Sequence, residues 1–247
     1  MNERWIPAAI GGLGGAVLAL AIVFGASMAG LLPGAGDARI KSYLMAHPDL
    51  VVTMMNKVQA QQVDSEQHER QAAVDKVGTA RFFDTSVAYV TGPATAKNTF
   101  VEFFDYNCIH CRNTFPVVQK FYEAHKNDTR FAFIDYPIFG QESMNAARAA
   151  VAARRQGNLY IALHFALMGT ADAAVTVDTI EADAKKSGID VAKLSADVLD
   201  PNIDKTLAAA HKLAGDALIA GTPAFIINGK VHEGEISDAE IKKLLKS

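Results

Sequence analysis

Phe100-Val101-Glu102-Phe103-Phe104-Asp105-Tyr106-Asn107-Cys108-Ile109-His110-Cys111 is the stretch that decides the fold, and it carries both cysteines of the chain. Phe100 to Phe104 reads as a buried strand interrupted by one carboxylate, Glu102. Asp105 to Asn107 read as a turn. Beyond Cys108, the residues Phe115, Val118, Phe121 and Tyr122 recur at helical spacing. The cysteine pair therefore stands at a strand-to-helix junction, with Cys108 at or near the helix N-terminus.

That position has chemical consequences. Unpaired backbone N–H groups and the positive end of the helix dipole stabilise an anion there. His110, between the two cysteines, adds a donor or a positive charge. Thiols so placed fall from a pKa near 8.5 to roughly 3.5–7.5. Lowering it favours the thiolate, stabilises the reduced form and makes the disulfide a stronger oxidant. Cys111, one turn further along, is positioned as the resolving thiol. A zinc site is disfavoured because a tetrahedral ion wants four ligands and the chain has no second cysteine pair and no histidine pair at ligand spacing. A purely structural bridge across two residues restricts the unfolded chain too little to be useful. No metal site is expected.

The chain has 247 residues, half of them hydrophobic, and a formal net charge of -3. That composition supports a sizeable core. No basic patch points to nucleic acid, and no Gly-rich phosphate loop is present. From Trp5 to Leu32 there is no charged residue, a run longer than the roughly 20 residues that span a bilayer. Residues 1–36 read as a membrane anchor or a signal segment, the length of the run favouring an anchor. Both readings send the rest across a membrane, and an oxidising compartment suits a CxxC pair.

Pro33 to Ala38 reads as a linker. Residues 37–84 read as a helical arm, broken at His47-Pro48. Its apolar stripe runs from Ile40 to Val58, and Gln59 to Lys76 is mostly polar. The stripe is too apolar for a free stalk, so an oligomerisation arm is expected. Residues 85–247 read as the main domain. Val87 to Val90, Phe100 to Phe104 and Arg130 to Tyr136 are expected strands, with a helix crossing between the last two. A helical block fills about 140–218; within it His164 is expected to pack inside and Arg154-Arg155 to lie on a solvated face. Asn228-Gly229 marks a type I′ hairpin turn, with Pro223 at the first residue of a strand.

Glu102 to Cys111, the later Gly221-Thr222-Pro223 and the helical block between them resemble the DsbA-like branch of the thioredoxin superfamily. The resemblance implies an α/β thioredoxin fold with an inserted helical domain. It implies a cis Pro223 facing the disulfide, Thr222 and Pro223 as substrate-binding residues, and Glu102 as a buried acid moving protons to and from Cys111. It implies no cofactor beyond the redox-active Cys108–Cys111 disulfide. Residues 38 to about 80 resemble the N-terminal segment of ScsC- and Com1-type relatives, some of which are trimeric isomerases. Two positions depart from the best-known oxidase pattern: Ile109 replaces a proline and Thr222 a valine. The expectation is an oxidase or isomerase of secreted or periplasmic proteins, using Cys108, Cys111, His110 and Glu102. It would work on the periplasmic side of the inner membrane, anchored or released by signal cleavage, and be reset by a DsbB-like or DsbD/ScsB-like membrane partner. A homo-oligomer through residues 38–80 is expected. Alternatives are a carrier of Cu(I), which soft thiolates select, and a non-enzymatic assembly module.

Overall fold

The computed structural model describes residues 35–157 and 159–246. The apolar run 5–32 lies outside the described residues. Among the described residues, no helix is long and apolar enough to cross a membrane. The chain divides into two compact units between Ser65 and Glu66.

In the first unit, helix α1 (Ala35–Ala46) begins inside the segment expected to be a linker. Asp37 in its first turn complements the helix dipole. The break at His47 is as the sequence indicates, and α2 (Pro48–Val77) starts on its proline, which has no N–H to leave unpaired. The apolar stripe stays in solvent: Ile40, Tyr43, Met54, Met55 and Val58 are all exposed.

The second unit takes in the end of α2 and a 3-10 turn, Thr79–Phe83. Its sheet has five strands: β1 (Tyr89–Thr91), β2 (Asn98–Phe104), β3 (Thr129–Asp135), β4 (Ala224–Ile227) and β5 (Lys230–Glu233), in the order β1-β3-β2-β4-β5. β2 and β3 are parallel, joined by α3 (Ile109–His125), and the other pairings are antiparallel. The first strand starts later than the sequence reading has it. Val87 and Ala88 are buried, but their N–H groups bond back to the Asp84 carbonyl in a turn. The β4–β5 turn has Asn228 at φ 48° and Gly229 at φ 81°, the two positive values a type I′ turn needs.

Strand alternation puts Phe100, Phe104, Phe131, Phe133 and Phe225 on one face, packed with Phe115, Val118, Phe121 and Tyr122 of α3. Val101, Phe103, Ala132, Ile134 and Ile226 line the other face, against Val74, Phe82 and Leu213. Buried on both sides, β2 reads as an almost unbroken apolar run. Between β3 and β4 come α4 (Gln141–Ala153), α5 (Leu159–Met168), α6 (Val177–Lys186), α7 (Val191–Asp197) and α8 (Pro201–Asp216); α9 (Asp238–Leu245) follows the hairpin.

Arg154 corrects the sequence reading. It is drawn inside by Asp135, a fully buried carboxylate at the end of β3, to which its Nη2 donates at 2.6 Å. Its Nη1 donates to the Val87 carbonyl at 3.1 Å. A lone buried charge would cost several kcal/mol, so the pair forms where sequence polarity suggested solvent. Arg155 does face outward, paired with Asp197 and Asp200. His164 packs inside as expected, its Nδ1 3.1 Å from the Tyr106 hydroxyl.

Candidate active site

Cys108 is the N-cap of α3, in extended conformation, and its own side chain makes no capping bond. The turn before it is built by Asp105. The Asp105 carbonyl accepts the Cys108 N–H at 3.1 Å. Its buried carboxylate accepts the N–H groups of Asn107, Ile138 and Phe139 at 2.8, 2.7 and 3.0 Å. Asn107 in turn clamps the loop ahead of α6 from both sides: its Nδ2 donates to the Val175 carbonyl and its Oδ1 accepts the Val175 N–H at 2.7 Å. Arg112, just past the second cysteine, grips the carbonyls of Thr170 and Ala173 at 2.7 and 3.0 Å, and that of Asp172. The redox turn is thus pinned between the sheet and the helical block.

Both cysteines are free thiols in this structure, and both are buried. The Cys108 Sγ donates to the Thr222 carbonyl at 3.1 Å. The Cys108 pKa is pulled down to about 6, first by a hydrogen bond from the Cys111 thiol. The Thr222 side chain and the N–H groups of Cys111 and His110 add to this, against the opposing effect of burial. At pH 7 that value leaves about ten thiolates per thiol. Cys111 is pushed far above the thiol range by burial and by the bond it gives to Cys108. The two sulfurs therefore differ sharply: one is poised to attack, the other keeps its proton.

Glu102 sits between Phe100 and Phe104 on β2, on the sheet face that packs against α3. It is buried, its Oε2 has no hydrogen-bond partner among the described residues, and burial raises its pKa to about 8. Its charge is near enough to push Cys111 upward when ionised. Thr222-Pro223 is a cis peptide bond, and the Thr222 Oγ1 is buried with no hydrogen-bond partner among the described residues while Cys108 is a thiol. His110 points away from the sulfurs' buried side: its Nδ1 lies 2.8 Å from Oε1 of Glu235, and its side chain is 63% exposed. Cys108, Cys111, Thr222 and Pro223 are thereby brought together, with Glu102 behind Cys111 and His110 at the rim.

Sequence reasoning missed Asp105, Asn107, Arg112 and Glu235. The first three border the cysteine motif, a signal that polar flanking residues hold it. Glu235 lies 124 residues beyond Cys111, and no local pattern announces it. Among the described residues no group of three or more His, Cys, Asp or Glu is arranged to hold a metal ion.

A thiol drawn toward ionisation beside one that keeps its proton, at a helix N-terminus on a mixed five-stranded sheet, is a cysteine pair on a thioredoxin-like fold. The chain belongs to the thioredoxin family, whose model matches residues 84–247. Solved structures agree. A thioredoxin-like oxidoreductase from Silicibacter pomeroyi is 32% identical, over 68% of this chain and 95% of that one, with a TM-score of 0.63. BcfH from Salmonella enterica Typhimurium is 27% identical, over 85% and 87%, with a TM-score of 0.66. The catalytic domain of Proteus mirabilis ScsC is 24% identical, over 72% and 99%, with a TM-score of 0.62, a likeness of fold. The DsbA-like resemblance drawn from the sequence thus holds. The chain spans only about a quarter of the length of the curated relatives it matches, sodium/proton antiporters of Salinispora tropica (26% identical; 59% of this chain, 22% of that protein) and Herminiimonas arsenicoxydans (25%; 66% and 26%).

Proposed function

We propose that the chain is an exported thiol–disulfide oxidoreductase that oxidises or isomerises disulfides in secreted or periplasmic proteins. The observation that carries this is the asymmetry of the two sulfurs, Cys108 ionised near pH 6 and Cys111 held protonated behind it. Export is supported by the likeness to a periplasmic thioredoxin-like protein from Salmonella enterica Typhimurium, 28% identical over 68% of this chain.

In the oxidising direction, a substrate thiolate attacks Sγ of Cys108 in the Cys108–Cys111 disulfide. The electron pair of the broken bond goes to Cys111, which takes a proton from Glu102, a group still protonated at neutral pH. A second substrate thiolate then attacks the substrate sulfur of the mixed disulfide, and Cys108 leaves as a thiolate. Substrate loses two electrons and the enzyme pair gains them. In isomerisation the Cys108 thiolate attacks a substrate disulfide instead, and a later substrate thiolate displaces it. In either direction, substrate bonded to Cys108 would lie along the Thr222-Pro223 backbone, whose Thr222 carbonyl is 3.1 Å from that sulfur. His110 supplies positive charge at the rim. The membrane partner that resets the pair is DsbB-like for an oxidase or DsbD/ScsB-like for an isomerase, and anchoring through residues 5–32 belongs to the same proposal. A Cu(I) carrier needs both sulfurs as thiolates, which burial of Cys111 opposes.

Cys111→Ala should trap mixed disulfides through Cys108 that dithiothreitol releases. Recovery of scrambled ribonuclease by the reduced wild-type chain would show isomerase activity. The absence of trapped adducts from Cys111→Ala sinks the proposal.

A further inference from the structure

The loop between β5 and α9 touches both halves of the redox site. Gly234 donates its N–H to the Pro223 carbonyl at 2.9 Å. Glu235 turns its carboxylate to α3, where Oε1 takes His110 Nδ1 at 2.8 Å and Asn113 Nδ2 at 3.1 Å. The Glu235 carbonyl is itself held by His232 Nε2 at 3.0 Å. Ile236 donates its N–H to Thr114 Oγ1 at 3.4 Å. The carboxylate is therefore fixed from behind by its own loop and presented to the first turns of α3.

His110 needs such a partner. Its ring is largely in solvent, and Glu235 is its one hydrogen-bond partner among the described residues. A cation in the first turn of a helix is opposed by the helix dipole. An imidazole there without an anion would lose both its charge and its direction. The ionisable groups that face it are Glu235, from the loop, and Cys108, from the start of α3. His232 reaches Glu235 at its carbonyl and not at its carboxylate, and its ring also packs on Phe225. As an exposed ion pair the contact adds little to stability, so its consequence lies in where the imidazolium stands.

We propose that Glu235 is a positioning residue of the redox centre, fixing the orientation and charge of His110 beside Cys108. The inference rests on the reading of Cys108 and Cys111 as the exchanging pair. With Nδ1 committed to the carboxylate, the imidazolium keeps its proton to higher pH, and the positive charge stabilises the Cys108 thiolate both as nucleophile and as leaving group.

The test uses the full reduced chain, with His110 followed by NMR of labelled histidine and the Cys108 thiolate by absorbance at 240 nm, each against pH. Glu235→Gln should lower the His110 midpoint by about half a pH unit or more, roughly a threefold change in the equilibrium. It should raise the Cys108 midpoint by a smaller amount in the same titration. Glu235→Asp, which restores the charge, should recover part of both shifts. In a His110→Gln background, Glu235→Gln should leave the Cys108 midpoint where it is. An unmoved His110 midpoint, or a Cys108 shift that survives in that background, overturns the inference. These titrations read the two groups directly. A wild-type chain that titrates as expected but forms no reversible Cys108–Cys111 bond would overturn the proposed function instead.

Discussion

Between about pH 6 and the ordinary thiol range, Cys108 is ionised in the fold but still protonated in an unfolded chain. An acid with a depressed folded pKa adds stability that is fully present above its unfolded pKa and is lost as pH falls through its folded one. Only the reduced protein has this group. The reduced-minus-oxidised difference in unfolding free energy should therefore rise with pH from about 6 to about 9, which chemical unfolding of both redox forms checks; Cys108→Ser, which cannot form the disulfide, should lose the same rise from the stability of its single, reduced form. Glu102 has the opposite sign. Its folded pKa is raised to about 8, so its contribution to stability falls as pH rises from the ordinary carboxylate range to 8. Glu102→Gln should make the oxidised protein more stable than wild type at pH 8, by about 4 kcal/mol, and equally stable near pH 4. The same substitution should slow release of Cys111 from the disulfide, because the proton donor is gone. A variant that gains stability without losing exchange rate would remove Glu102 from the proton path.

At the scale of elements, the redox turn depends on contacts with the helical block that lie far away in sequence. Asn107→Ala removes the two-sided clamp on Val175 and should cost about 1–2 kcal/mol in urea unfolding. It should also speed amide exchange across residues 170–176, while leaving α8 protected. Arg154→Ala strands Asp135 without its cation and should cost more, about 3–5 kcal/mol. How far such features could be read from sequence follows from their range. The strand of Phe100 to Phe104, the cysteine-bearing helix start and the Asn228-Gly229 hairpin are set by neighbours a few residues apart, and periodicity exposes them. Arg154 with Asp135, and Glu235 with His110, are pairings across 19 and 125 residues. Their side chains look like ordinary surface polarity until the sheet and its inserted helices bring them together. Val87 and Ala88 show the reverse case, apolar enough for a strand yet held in a turn by the Asp84 carbonyl.

For the whole molecule, the open issue is what covers the apolar stripe of the first unit. Ile40, Tyr43, Met54, Met55 and Val58 are exposed, and large exposed apolar patches mark interaction surfaces. The polar part of α2 behaves differently. From Glu66 onward it belongs to the second unit, where Gln71 accepts the Val231 N–H and donates to the Gly229 carbonyl, and Val74 is buried. These bonds occupy the open edge of β5, so a truncation that reached residue 80 would expose that edge and part of the core, confusing loss of assembly with loss of folding. The informative comparison is between chains starting at Ala35 and at Glu66. If the stripe is an assembly surface, light scattering should give a multiple of the single-chain mass for the first and a single-chain mass for the second. Cys108 should titrate alike in both, since its surroundings lie wholly within the second unit. Ribonuclease recovery should drop in the shorter chain if isomerisation needs several redox sites held together. A single-chain mass for the longer chain, at concentrations of tens of micromolar, would show that copies of this chain do not cover the stripe.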